Sequence, residues 1–322
     1  MLSAIMAAYN AGNFIAPAIE SILNQTYRDF EFIIVDDGST DNTLGVVKHY
    51  LERDSRIRVI QSDRIGAAGA RNLGINQAKY PWIAIMDADD IAIPERFEKQ
   101  INAAKANPKV VVWGTYANHI SATGEVLSLV RQGALTEKEF SDLWKEGHIP
   151  FVIHPTALIK KEIFLQVGGY SKDFYASEDF ELFARIGNYG PILAIPEPLL
   201  LYRVHSKSES MTKFFSQKIL ARYVLARHRN RIACQPELEL NQFIEEYKHQ
   251  PLLSRLKRDI FTLGQFWYRK AGLFFAEKEY LKASLYLSMS IASNPSYSLP
   301  RVWKQKLSPR TRELLGTVKK VG

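Results

Sequence analysis

Short apolar runs rich in β-branched residues alternate with amphipathic stretches through the first 115 residues, the pattern of βαβ units and a mostly parallel sheet. Strands are predicted over 3–8, 30–35, 57–61, 82–86 and 110–114. Between them, a helix over 14–24 carries Ile15, Ala18, Ile19, Ile22 and Leu23 on one face, with Asn13 as its N-cap. A second helix over 43–51 follows Asp41, which can cap its orphan amides. A third begins near Ala67 and carries Ala70, Leu73, Gly74 and Ala78, and a fourth starts at Pro94, a favourable first-turn residue.

From 116 to 205 the pattern is less regular, with helices over 137–144 and 161–167, and reads as an elaboration packed on the same sheet. Beyond Ser210 come long basic and aromatic helices punctuated by Pro236, Pro251 and Pro295. The stretch 268–295 resembles one helical hairpin of the tetratricopeptide type, with Ala271, Gly272 and Ala283 expected at tight crossings. One unit is not an array, so helix-pair packing is expected rather than a peptide-binding solenoid. The predicted organisation is a catalytic domain over 1–210, with a nucleotide-binding half to about 115 and an acceptor half over 116–210, followed by a basic helical region over 211–322.

Composition adds an asymmetry. The chain of 322 residues, 46% hydrophobic, can bury one substantial core and a second, smaller region. Residues 1–210 hold 21 Lys and Arg against 26 Asp and Glu, a net of −5, whereas residues 211–322 hold 21 against 8, a net of +13. A basic C-terminal third suits an anionic lipid surface, and equally an ordinary solvated helical face; nucleic acid is not expected. The single cysteine, Cys234, excludes a disulfide framework and any multi-cysteine metal site, fits a reducing cytosol, and is expected to pack as a small buried hydrophobe. Met1 to Tyr9 reads as a first strand, not a signal peptide, and no run reaches the roughly 18 apolar residues of a spanning helix. The expected location is cytoplasmic, with any membrane contact peripheral.

The chemistry concentrates at strand ends. Asp87-Ala88-Asp89-Asp90 follows the apolar run 82–86; by itself it reads equally as a solvated acidic turn, but three carboxylates so close at a buried strand end are costly unless a cation is bound nearby, as a divalent metal carrying a phosphorylated ligand would be. Asp36-Asp37 ends another apolar run and leads into Gly38-Ser39-Thr40, while the first strand delivers Ala8-Tyr9-Asn10. Ligands of parallel sheets bind outside the carboxyl ends of strands, so these loops are expected to share one crevice. An ordinary turn is the alternative for Asp37-Gly38-Ser39. There is no Gly-x-Gly-x-x-Gly after the first strand, which argues against a dinucleotide dehydrogenase.

Gly66-Ala67-Ala68-Gly69-Ala70-Arg71-Asn72 offers close backbone approach and a cation to a nucleotide, although Gly/Ala-rich helix starts also serve packing. Glu178 and Asp179 precede an apolar helical face of Phe180, Phe183 and Ile186. Either complements a helix dipole or takes a proton from an acceptor hydroxyl. A late strand, Leu201-Tyr202-Arg203-Val204-His205, is expected to send Arg203 and His205 to one face, where a neutral imidazole could complement carboxylates around a divalent ion.

Taken in order, Tyr9-Asn10, 35–43 (Val-Asp-Asp-Gly-Ser-Thr-Asp-Asn-Thr), Gly69-Ala70-Arg71-Asn72, Met86-Asp87-Ala88-Asp89-Asp90, Val167-Gly168-Gly169-Tyr170, Glu178-Asp179 and Tyr202-Arg203-Val204-His205 resemble the inverting nucleotide-sugar glycosyltransferases of family 2, which have the GT-A fold, over roughly 2–210. The resemblance implies that Asp37 and Arg71 contact the nucleobase with Asp36 nearby, that Ala8, Tyr9, Asn10, Asp87 and Ala88 complete the nucleotide site with Asp87 at the ribose, and that Asp89 holds Mn²⁺ or Mg²⁺, with His205 as a further metal or diphosphate ligand. It implies Asp179 as catalytic base, with Glu178 and Arg203 in support. Ala7 stands where family members commonly show proline, and the Gln-x-x-Arg-Trp motif of processive synthases is absent, so transfer of one sugar is expected.

The function so implied is metal-dependent, inverting transfer from a nucleotide-sugar, with uridine preferred, to a glycan or lipid-linked acceptor in cell-surface polysaccharide or glycolipid synthesis. A sugar-1-phosphate nucleotidyltransferase is disfavoured because residues 8–14 lack the cation its first loop requires. A non-catalytic membrane or nucleic-acid scaffold is disfavoured by the intact carboxylates.

Overall fold

A computed structural model describes residues 1–205 and 208–303. The elements run β1 (Leu2–Ala8), α1 (Ile15–Leu23), β2 (Phe30–Asp36), α2 (Thr43–Leu51), β3 (Ile57–Gln61), α3 (Gly66–Asn76), β4 (Trp82–Asp87), β5 (Ile91–Ala92), α4 (Arg96–Ala106), β6 (Val112–Ile120), β7 (Val126–Val130), α5 (Glu137–Lys145), β8 (Leu158–Lys160), α6 (Lys161–Gln166), α7 (Glu178–Ile186) and β9 (Ile192–Arg203). Helices follow: α8 (Glu209–Thr212), α9 (Phe214–Ile232), α10 (Leu240–Lys248), α11 (Leu252–Ala276), α12 (Tyr280–Ser293) and α13 (Pro295–Val302). Two compact units result, Met1–Ala117 with Val130–Tyr202, and Asn118–Leu129 with the described residues from Arg203 onward.

The strands are ordered β3-β2-β1-β4-β8-β6-β9-β5, with β7 on β6. The predicted βαβ half is parallel, β1 pairing with β2 and β4, and β2 with β3. Beyond β4 the pairings of β8 with β4 and β6, and of β5 with β9, are antiparallel. All seven residues of β2 are buried, as helices on both faces require. Register matters for chemistry: Ala8 pairs with Asp36 and Ala7 with Asp87, so three strands deliver their ends to one edge. Helix α3 comes close to these strands because Gly74 has no side chain; a Cβ there would lie 2.9 Å from Ile5 Cγ2 and 3.0 Å from Val35 Cγ2.

Several local expectations change. Asn13 does not cap α1, whose N-cap is Phe14 without a side-chain bond. Asp41 does accept from the Thr43 amide at 2.9 Å, and its other oxygen takes the Gly12 amide at 3.0 Å, so it braces two loops. Helix α4 starts two residues after Pro94, whose carbonyl instead accepts from the Thr26 amide. The strand expected over 110–114 begins at Val112 and continues to Ile120.

In the second unit, Ala271 and Ala283 are buried in the α11–α12 pair, but Gly272 faces open space. The close crossing is at Gly264, where a Cβ would meet Ser293 Oγ at 2.7 Å and whose carbonyl accepts from Ser290 Oγ. Cys234 is exposed at positive φ after α9, in the αL-type geometry that ends helices, and so is no core residue.

Candidate active site

The loops after β1 and β2 form one construction, as expected. The Ala8 carbonyl accepts from the Asp37 amide at 2.8 Å, Asn10 Oδ1 accepts from the Thr40 amide at 2.8 Å, and the Asn10 amide donates to Ser39 Oγ at 3.0 Å. Asn10 adopts positive φ, which asparagine tolerates better than most residues. Tyr9 is exposed, and the Arg64 guanidinium stacks 3.2 Å from its ring centroid.

The two aspartates after β2 have different surroundings. Asp37 is buried and fully engaged, accepting from Ser62 Oγ, Arg64 Nη1 and the amides of Ile65 and Gly66 at 2.7–3.0 Å. It therefore shapes the entry to α3. Asp36 is also buried, yet its Oδ1 has no hydrogen-bond partner among the described residues. A buried carboxylate oxygen left so is expensive, and a hydroxyl or imide N–H of a bound nucleotide would satisfy it.

At the end of β4, burial would raise the pKa of Asp87, but the neighbouring Arg71 charge holds its carboxyl below the usual range. Arg71 Nη2 donates to Asp87 Oδ1 at 2.9 Å, and Nη1 reaches Glu178 Oε1 at 3.4 Å. Its buried Nε has no hydrogen-bond partner among the described residues. Ala88 is buried, Asp89 half-buried, and the buried Asp90 closes the turn through its amide to the Asp87 carbonyl. A second arginine, Arg96, lies fully buried below the cluster, bonded to the Ile85 carbonyl at 2.8 Å. Burial pulls its pKa down to about 9 against the opposing charges of Asp90 and Asp87, so it stays cationic at neutral pH. The cation that the cluster was expected to need is thus supplied in part from within by Arg71 and Arg96.

Glu178 and Asp179 open α7, Glu178 buried and Asp179 half-buried. Two residues without a sequence-based role complete this side. His154, in a 3₁₀ turn at 154–156, has Nε2 2.8 Å from Tyr170 Oη. Burial and Arg71 push the imidazole pKa down to about 4 despite Asp179 and Asp87, so the ring is neutral at pH 7. Burial and the nearby carboxylates keep the Tyr170 phenol protonated, although Arg71 opposes them. Asn72 holds Tyr170 by pairing with both its carbonyl, 2.8 Å, and its amide, 2.9 Å. Arg185 of α7 binds Glu181 and donates to the carbonyls of Val167 and Gly169. The Gly168-Gly169-Tyr170 segment is clamped from two sides, and both glycines have positive φ. Neither His154 nor Arg96 carried a sequence signal, because a lone histidine and a first-turn arginine look alike whether buried or solvated.

Arg203 and His205 belong to the second unit. β9 ends at Arg203, so its alternation does not extend to His205. Arg203 is buried and donates through Nη1 to the carbonyls of Ser121 and Ala122, at 3.0 and 2.9 Å. His205 is half-buried. Among the described residues no three His, Cys, Asp or Glu side chains converge as a metal cage. The donors at the strand edge are carboxylate oxygens, and Asp89 is half-buried beside Asp87. Carboxylate oxygens are the hard donors that a divalent ion such as Mn²⁺ or Mg²⁺ would take.

The model of glycosyl transferase family 2 matches residues 3–168. The O-antigen biosynthesis glycosyltransferase WbnJ of Escherichia coli is 36% identical over 216 residues, 65% of this chain and 81% of WbnJ. The Escherichia coli UDP-Glc:alpha-D-GlcNAc-diphosphoundecaprenol beta-1,3-glucosyltransferase WfgD is 32% identical over 219 residues, 66% of this chain and 81% of WfgD. Among solved structures, the mannosyltransferase PcManGT of Pyrobaculum calidifontis, in complex with GDP-Man and Mn²⁺, superposes with a TM-score of 0.54 at 17% identity, over 99% of this chain and 79% of its own. With the parallel strand edge, its joined loops and the matching family model together, the chain belongs to glycosyl transferase family 2 and is a glycosyltransferase of GT-A fold.

Proposed function

We propose that this enzyme moves a single hexose from a UDP-sugar, with inversion, to a hydroxyl of a glycan or lipid-linked acceptor made for the cell surface, at the anionic face of a membrane. The observation that carries the reading is the Arg71 bridge, which ties Asp87 at the end of β4 to Glu178 at the start of α7. That bridge supports reading the donor-side carboxylates and the candidate base Asp179, next to Glu178, as one site. The UDP donor and lipid-linked acceptor in the name of WfgD support the choice of substrates.

In this reading Tyr9, Asn10 and Asp36 line the nucleoside and Asp87 faces the ribose. Asp37 acts through the loop over 62–66 that it holds, and Arg71 by fixing Asp87. The acceptor hydroxyl loses its proton to the Asp179 carboxylate as its oxygen attacks the anomeric carbon. The bond from that carbon to the diphosphate breaks with its electron pair on the departing UDP, so one displacement inverts the centre. Asp89 would hold Mn²⁺ or Mg²⁺, which when bound neutralises charge on the leaving diphosphate. Tyr170 is held protonated, burial makes His154 a weak base, and Glu178 is engaged by Arg71, which favours Asp179 as the proton acceptor.

A panel of nucleotide-sugars, screened by thermal shift with Mn²⁺ and then by nucleoside diphosphate release, tests this reading. Stabilisation and slow release with one UDP-sugar are expected. Release from none of the panel, with or without metal, would overturn it.

A further inference from the structure

The first turns of α11 carry an exposed apolar stripe. Leu252, Leu253, Leu256 and Ile260 are 67, 73, 48 and 47% exposed. At about 100° per residue they fall within one arc of about 100°, along roughly 12 Å of helix. The opposite side is where this part of α11 is held. Arg258 stacks 3.6 Å from the Tyr247 ring centroid of α10 and bonds the Tyr247 carbonyl, while Thr262 accepts from Arg222 of α9. The stripe therefore faces outward because the helix is anchored by its other face.

Charge identifies what covers it. Exposed Arg255 and Lys257 flank the arc, one on each side; the exposed Asp259 at its edge is paired with Arg258 at 3.0 Å, which leaves the border of the stripe net cationic. A second exposed pair, Leu281 and Leu285 on α12, lacks this setting, since Lys282 is paired with Glu279 and Lys278 with Glu125. Apolar residues bordered by cations on a helix too short in apolar run to span a bilayer suit the plane of an anionic membrane. Leucines enter the acyl boundary there, and Arg and Lys reach the phosphates.

We propose that the N-terminal turns of α11 form the docking surface for an anionic phospholipid bilayer, with Leu252, Leu253, Leu256 and Ile260 inserted and Arg255 and Lys257 at the headgroups. The surface names the segment that delivers the enzyme to a membrane-borne acceptor, and in that purpose it rests on the function proposed above. Vesicle binding is read without sugar transfer, so the two can fail separately.

The test is co-sedimentation of the full chain with sucrose-loaded phosphatidylcholine vesicles, with and without roughly 30% phosphatidylglycerol. The chain should pellet with the anionic vesicles, weakly with neutral ones, and less as salt rises to about 0.5 M. Leu253→Ser with Leu256→Ser should lower the partition coefficient about tenfold, and Arg255→Gln with Lys257→Gln about fivefold. Leu281→Ser should stay within twofold. Each variant should keep the parent's melting temperature and UDP binding. Equal pelleting of the leucine variant, absence of binding to either vesicle, or a dimer in sedimentation velocity that the same substitutions dissolve would each overturn the proposal.

Discussion

Arg71 donates to Asp87 at 2.9 Å from a position where only 8% of the arginine reaches solvent. The pair joins a helix packed on the sheet to the strand end that carries the acidic cluster. Arg71→Met should leave Asp87 and Glu178 uncompensated, costing about 3 kcal/mol of stability in urea unfolding. Transfer should fall by about 100-fold or more. Arg71→Lys should recover part of the stability but little activity, because an ammonium cannot hold both carboxylates in the planar geometry of a guanidinium.

Asp179→Asn removes the proposed proton acceptor without removing volume. Turnover should fall by about 1000-fold, while UDP-sugar affinity measured by calorimetry stays within a few-fold of the parent. Near-normal turnover would remove Asp179 from the role of base.

Asp89→Ala should weaken donor binding about tenfold or more when Mn²⁺ is present and change it little in its absence. Calorimetric titration with and without metal gives the comparison. Unchanged affinity in Mn²⁺ would count against Asp89 as a ligand.

Stability should depend on pH through His154. Its folded pKa of about 4 lies below the ordinary value of 6.5, so between these values the unfolded chain takes up a proton that the folded protein does not. The histidine's contribution is therefore intact above pH 6.5 and declines, by up to about 1.4 kcal/mol per pH unit, as pH falls toward 4. Asp87, held below the usual carboxyl range, has the opposite chemistry but the same sign, and its contribution is lost only at still lower pH. His154→Gln should flatten the urea midpoint between pH 6.5 and 5 relative to the parent.

Gly169→Ala should be among the more damaging glycine substitutions. Its φ is +71°, and a Cβ would lie 2.7 Å from Asn72 Oδ1, the atom that accepts from the Tyr170 amide. A loss of about 2 kcal/mol and a drop in turnover without change in donor affinity are expected, read by urea unfolding and steady-state kinetics.

The parallel half of the sheet was legible because its signals are local. Apolar runs of fixed period, capping polar residues and acidic strand ends lie within a few residues of one another, and a parallel sheet brings strand ends together whatever the details. The pairing of Ala8 with Asp36 and Ala7 with Asp87 follows from that pattern. Even so, the division of labour between Asp36 and Asp37 did not follow. Which aspartate builds a loop and which keeps an open oxygen depends on the path of residues 62–66.

Other features arise only where separate elements pack together. His154 meets Tyr170, Arg71 meets Glu178, and Arg96 sits under Asp90, contacts that no spacing encodes. Burial converts these ordinary side chains into a neutral imidazole, a bridging cation and an internal counter-charge. By itself the sequence determined the α/β order, the strand-end carboxylates and the basic C-terminal third. Only the tertiary structure decided how that acidic edge is neutralised, because the energy of a charge depends on which partners and how much water surround it once the chain is packed.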